Sequence, residues 1–151
     1  MFKRKLSKSL SQRISSSKRD DQWLAQRLNK LWEKYFPDIE LSNKVLIRFG
    51  RYSSLRLGSI RLDRTKGISY ITITSMFRDL RIPQDVVDHT VAHELVHYAH
   101  GFSSQRVRLH KYPHAGGVVH REMDERGLEY LHTAYKKWVK KYREQLKKHY
   151  A

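Results

Sequence analysis

Pro83-Gln-Asp-Val-Val-Asp-His-Thr-Val-Ala-His-Glu-Leu-Val-His-Tyr-Ala99 is the stretch on which the reading of this chain turns. Pro83 suits a first helical turn, and Asp85 and Asp88 are acids near the positive end of a helix dipole. Val87, Val91, Leu95, Val96 and Ala99 form a stripe that can face a core. Together these predict a helix over residues 84–100. Within it, His93 and His97 lie on one face about 6 Å apart along the axis, so both imidazoles can reach one metal ion. Glu94 projects about 100° round the helix and can touch a water at that metal without being a ligand. This is the arrangement of a zinc hydrolase. Random placement at this composition would produce His-Glu-x-x-His in about 2 to 3% of such chains, so the surroundings of the motif have to support it.

The surroundings are histidine-rich. All 9 histidines follow residue 88, with His89, His93, His97, His100, His110, His114 and His120 in one dense stretch. His89, His100, His132 and His149 read as solvated or hydrogen-bonded side chains, whereas spacing and the adjacent Glu94 mark His93 and His97 as ligands.

At 151 residues the chain has the size of one domain, and its 39% hydrophobic content implies an economical core. It has no cysteine. That removes disulfides, thiolate zinc ribbons and nucleophilic thiols, excludes the cysteine-ligated nucleobase deaminases, and suits a reducing compartment. Any zinc must therefore be held by histidine and carboxylate. No apolar run approaches the roughly 18 residues of a membrane span, and the N-terminus lacks the apolar middle of a secretory signal. A soluble, cytoplasmic monomer that does not enter the membrane is expected.

Residues 1–19, MFKRKLSKSLSQRISSSKR, are basic and serine-rich without an acid. A transit peptide can have that composition. A mobile basic arm that follows nucleic acid phosphates is the preferred reading, because a net charge of +16 implies a polyanionic or acidic partner.

Asp20 and Asp21 open an amphipathic helix in which Trp23, Leu24, Leu28, Leu31, Trp32, Tyr35 and Phe36 recur at helical spacing until Pro37. Val45–Gly50, Leu55–Leu62 and Ile68–Thr74 read as three strands, the last two joined as a hairpin through Asp63–Gly67. Ser75 to Leu80 reads as a short helix. Gly101 to Gly117 has loop composition. A long helix is expected from Val118 to Lys148, with an interruption at Gly127 and a strongly basic end. Tyr135, Trp138 and Tyr142 are spaced to pack inward.

A catalytic zinc usually keeps three protein ligands and an open fourth position, so His93 and His97 need a partner. The extended motif ending in Gly-x-x-His fails, since His100 stands at the glycine position and Ser103 at the last histidine position. His110, His114, His120, Glu122, Glu125 and Glu129 remain open on spacing alone.

The chain resembles the SprT-like (Spartan-related) zinc metalloprotease family over roughly residues 21–130. The resemblance rests on Arg56-Leu-Gly58, the strand Gly67–Thr74, the short helix before Pro83, Ala92-His-Glu-Leu-Val-His97, and Pro113-His114 leading to Gly116 and a helix with Met123. It implies a zincin-like α+β domain: an N-terminal helix, a small antiparallel or mixed three-stranded sheet, the motif helix and a long C-terminal helix. It also implies a zinc ion held by His93, His97 and His114, with Glu94 as general base. Ala115 stands where the family has glycine, Val118 or Val119 replaces an aromatic, and a basic helix takes the place of the cysteine-rich ribbon. The expected organisation is thus an arm at 1–19, the protease domain at 20–135 and a basic helical extension at 136–151.

In the implied chemistry, Glu94 takes the proton of a water attacking a peptide carbonyl and passes it to the leaving amine. Tyr112 and His120 are the candidate oxyanion donors. An extended protein or peptide substrate is expected beside an edge strand, with 68–74 as that edge. Charge and resemblance together point to DNA-associated proteins. Two alternatives stand beside this one: a non-enzymatic nucleic-acid-binding protein with a structural metal or none, and a metallohydrolase for small amides with a glutamate as third ligand.

Overall fold

The computed structural model describes residues 18–150, so the expected arm lies outside the described residues up to residue 17. In chain order the elements are α1 (Asp21–Tyr35), β1 (Lys44–Phe49), β2 (Gly58–Asp63), β3 (Ile68–Ile73), a 3-10 turn at Ser75–Arg78, and α2 (Gln84–Ala99). A second 3-10 turn at Ala115–Gly117 leads into α3 (Val118–Glu125) and α4 (Glu129–Tyr150). The class is mixed α+β.

Asp20 caps α1 by accepting the Trp23 N–H at 2.8 Å, and Pro37 follows its end. Leu24, Leu28 and Leu31 are its buried stripe. The residue before the cap is also part of the fold: Arg19, expected at the end of the arm, is 8% exposed. Its guanidinium donates to the carbonyls of Phe77, Asp79 and Ile82 at 3.0, 3.0 and 2.7 Å.

The sheet order is β1-β3-β2, with β1 parallel and β2 antiparallel to β3. The hairpin between β2 and β3 is as expected, and the Asp63 carboxylate stabilises its turn by accepting the Thr65 and Lys66 N–H groups. The edge assignment is corrected. The 68–74 strand is central, because β1 pairs with it from one side and β2 from the other, and both of its rows of backbone groups are used. The free edges belong to β1 and β2. Thr74 holds this crossover together: its hydroxyl donates to the Ser53 carbonyl at 2.7 Å and accepts the Ser53 N–H at 2.9 Å.

The motif helix α2 is buried on every side rather than along one stripe. Val86, Val87, Val91, Leu95 and Val96 share a core with Leu24, Leu28, Ile71, Ile73, Met123 and Leu131. Asp88 is buried too, and Arg27 of α1 reaches it with two hydrogen bonds of 2.9 and 2.6 Å. Burial pushes the Asp88 carboxyl up, and the guanidinium opposes that shift. Arg27→Ala would leave Asp88 uncompensated, for an expected loss of about 3–5 kcal/mol in urea unfolding. The double variant Arg27→Met/Asp88→Leu is expected to recover most of it, because an apolar pair needs no counter-charge.

The expected C-terminal helix is two helices. Gly127, at φ 82°, breaks it, and Leu128 behind the break is fully buried. Trp138 packs edge-on to Phe77 with centroids 5.8 Å apart, and Tyr135 also lies against the core. Tyr142 is half-buried and stacks on Trp138 at 5.4 Å. Among the described residues, no helix is long and apolar enough to cross a membrane.

Candidate metal centre

α2 carries His93 and His97 one helical turn apart, and the turn before α3 brings His114 against them. The three Nε2 atoms form a nearly equilateral triangle: 3.0 Å from His97 to His93, 3.0 Å from His97 to His114 and 3.2 Å from His93 to His114. Hydrogen bonding alone cannot satisfy this triangle. Each neutral Nε2 presents either a proton or a lone pair, so at least one of the three contacts must set like against like. A cation turns all three into acceptors. The edges are also close to the ~3.3 Å that ~2.0–2.1 Å bonds to a tetrahedral zinc impose. These three residues are close enough to hold a metal ion.

Burial pushes the pKa of His93 down to about 4 and that of His97 to about 3, with neighbouring imidazoles adding to both shifts. Both rings are therefore neutral at pH 7, which is the ligating form. His97 is oriented by packing, edge-on to Phe102 at 6.2 Å, and its buried Nδ1 has no hydrogen-bond partner among the described residues.

Glu94 is 5% exposed. Burial pushes its carboxyl up to about 7, against the opposing field of Arg56. A carboxyl poised there can both take and return a proton near neutral pH. The start of β2 passes directly over it. A Cβ on Gly58 would stand 2.7 Å from the Thr90 methyl and 3.3 Å from Glu94 Oε1, which is why a glycine follows Arg56-Leu.

The triad and Glu94 open into a cleft of about 790 Å³. Arg56 to Ile60 form one wall, and Phe102, Ser103, Arg108, Pro113 and His114 another. His89, His120, His132 and Tyr135 also line it. His89 follows the i, i+4, i+8 spacing of His89, His93 and His97, a signal of shared face that a hydrogen-bonded reading passed over. It stacks flat on Tyr135 at 4.4 Å, and burial pushes its pKa down to about 3.

The other residues left open as third ligands have other partners or lie apart. His120 pairs with Asp124 at 3.1 Å. Glu122 meets the buried His100 at 2.9 Å and the Arg126 guanidinium at 3.3 Å. His110 packs against His100, with ring centroids 4.5 Å apart. Glu125 and Glu129 are exposed outside the triad. Tyr112 is 58% exposed and does not line the cleft, whereas His120 does.

The buried imidazoles set a pH dependence for the metal-free chain. His89, His93 and His97 have folded pKa values below the ordinary 6.5, so the unfolded state binds more protons between about 3 and 6.5. Stability should rise with pH across that window and be fully present above it. Glu94 acts oppositely between about 4.5 and 7, and Asp88, also pushed up by burial, opposes them at lower pH, two carboxyls against three imidazoles. Urea midpoints at pH 5.0 and 6.5, measured with chelator, are expected to show the higher value at pH 6.5.

No family model matches the chain, and no curated protein or solved structure matches it significantly.

Proposed function

We propose that the chain is a zinc-dependent metalloendopeptidase on a zincin-like domain, with His93, His97 and His114 holding the ion and Glu94 as general base. The observation that carries this is the triangle of imidazole nitrogens beside a buried carboxyl at the floor of an open cleft. Three histidines leave a fourth position for water, as catalytic zinc sites do, whereas a structural site closes all four and needs no base. Bound there, zinc supplies a Lewis acid and lowers the pKa of water to near 7. Glu94 takes the proton from the attacking water and returns it to the leaving amine. The buried position that raises its pKa also keeps it dry between those two transfers.

Substrate binding by strand addition fits the outer edge of β2, which forms a cleft wall and pairs with β3 on its other side only. The resemblance to the SprT-like family supports the same assignment. A DNA-associated substrate is favoured by α4, where Lys136, Lys137, Lys140, Lys141 and Arg143 are all exposed.

Incubation of the full chain with an unfolded protein such as reduced casein tests the reading. Zinc-loaded protein is expected to cleave it, chelator to stop cleavage, and zinc to restore it. Cleavage that survives complete metal removal, or none with any divalent metal, would overturn it.

A further inference from the structure

The cleft has an uneven complement of charge. Among its lining side chains Glu94 is the one acid, and it is committed to proton transfer. Arg56 stands on the β2 wall and Arg108 on the facing loop, both exposed. Among the described residues neither has an ion-pair partner, whereas Arg27, Arg81 and Arg126 all do. Further along the cleft lie the rings of His89, His120 and His132, and His120 already faces Asp124 at 3.1 Å. Arg108 is held in place by lying over the Phe102 ring at 4.7 Å, so one of the two guanidiniums is partly preorganised.

Resting on the peptidase reading, we propose that the cleft selects acidic peptide segments, with Arg56 and Arg108 gripping carboxylates on either side of the scissile bond. Arg56 precedes Gly58 by two positions, which along an extended chain is about 7 Å. A substrate paired beside Gly58 would therefore meet the Arg56 guanidinium with a side chain about two residues from the bond being cut. A nucleic acid strand in the cleft is the less suited occupant. Base stacking needs open aromatic faces, and here Phe102 is buried beneath Arg108 while Tyr135 is stacked against His89. The exposed lysines of α4 lie outside the cleft lining, so a nucleic acid contact there leaves the cleft free for peptide.

The test separates binding from turnover. Peptides with one neutral core and flanks of Asp and Glu, or of Lys and Arg, are titrated by fluorescence anisotropy against the zinc-loaded Glu94→Gln chain. The acidic set is expected to bind about tenfold more tightly, with the gap narrowing as salt rises. Adding Arg56→Glu/Arg108→Glu should reverse the order, and Lys30→Glu/Lys34→Glu, which removes the same charge from α1, should not. Equal affinities, an unreversed order, or an equal loss in the α1 variant would overturn the proposal. So would tighter binding of a single-stranded oligonucleotide that is lost with Arg56 and Arg108. Turnover of the same peptides by the unsubstituted chain judges only the peptidase reading, so the two can fail separately.

Discussion

Glu94→Gln is expected to lower kcat/KM for peptide hydrolysis by about 10²- to 10⁴-fold, the usual contribution of a general base, while zinc content stays unchanged. Glutamine keeps the shape of the side chain, which matters because Glu94 Oε1 lies near Gly58, only 3.3 Å from where a Cβ there would stand. What it loses is the ability to take a proton. The acid limb of the pH–rate profile should therefore disappear along with the rate, since the carboxyl that titrates in the neutral range is gone. The variant also divides the alternatives sharply. A nucleic-acid-binding protein with a structural ion would hydrolyse no peptide with either residue at position 94, whereas an activity within tenfold of the parent would remove Glu94 from the role of base.

His114→Ala should have the second large effect, this time on the metal. His114 is exposed and, among the described residues, its ring meets only the other two histidines in hydrogen-bond range, so truncation should move metal-free stability by no more than about 0.5 kcal/mol. Zinc affinity should fall by more than the ~10–100-fold typical of losing a group that merely supports a ligand. Saturating zinc at about 100 times Kd stabilises a folded chain by about 2.7 kcal/mol, so thermal shift with and without zinc reads the change directly. His120→Ala and Glu122→Ala should retain zinc. Glu122→Ala is expected to lose stability instead, because it strips the buried His100 and the Arg126 guanidinium of a shared carboxylate. Full zinc stoichiometry in His114→Ala would remove it from the ligand set.

The helices and the pairing of His93 with His97 were legible because their signals are local. Asp20 and Pro37 bracket α1, Gly127 breaks the C-terminal helix, and four-residue spacing puts His93 and His97 on one face within a single element. The third member of the triad is not a local matter. Six residues were compatible with the spacing, and only the fold of the 101–117 segment, tied back by Leu109 N–H to the His100 carbonyl, decides that His114 arrives while His110 turns toward His100. The edge strand was misread for a related reason. Apolar alternation identifies a strand but not its neighbours, and here β1 reaches β3 in parallel across an intervening hairpin. Arg19 was hidden by composition, since nothing in a run of lysine, arginine and serine distinguishes the guanidinium that meets three backbone carbonyls.

His114 has one more consequence, which concerns the chain rather than the chemistry. A chain without cysteine has no covalent means of pinning a long surface loop. An ion shared by His97 and His114 would close the segment between them much as a cross-link does. In the chain-entropy description a tie across about 15 residues restricts the unfolded ensemble by the equivalent of ~3 kcal/mol. The same three imidazoles would then serve as the staple that keeps one wall of the cleft upright. Loss of metal would then open that wall to proteases at the moment it removes the proposed activity.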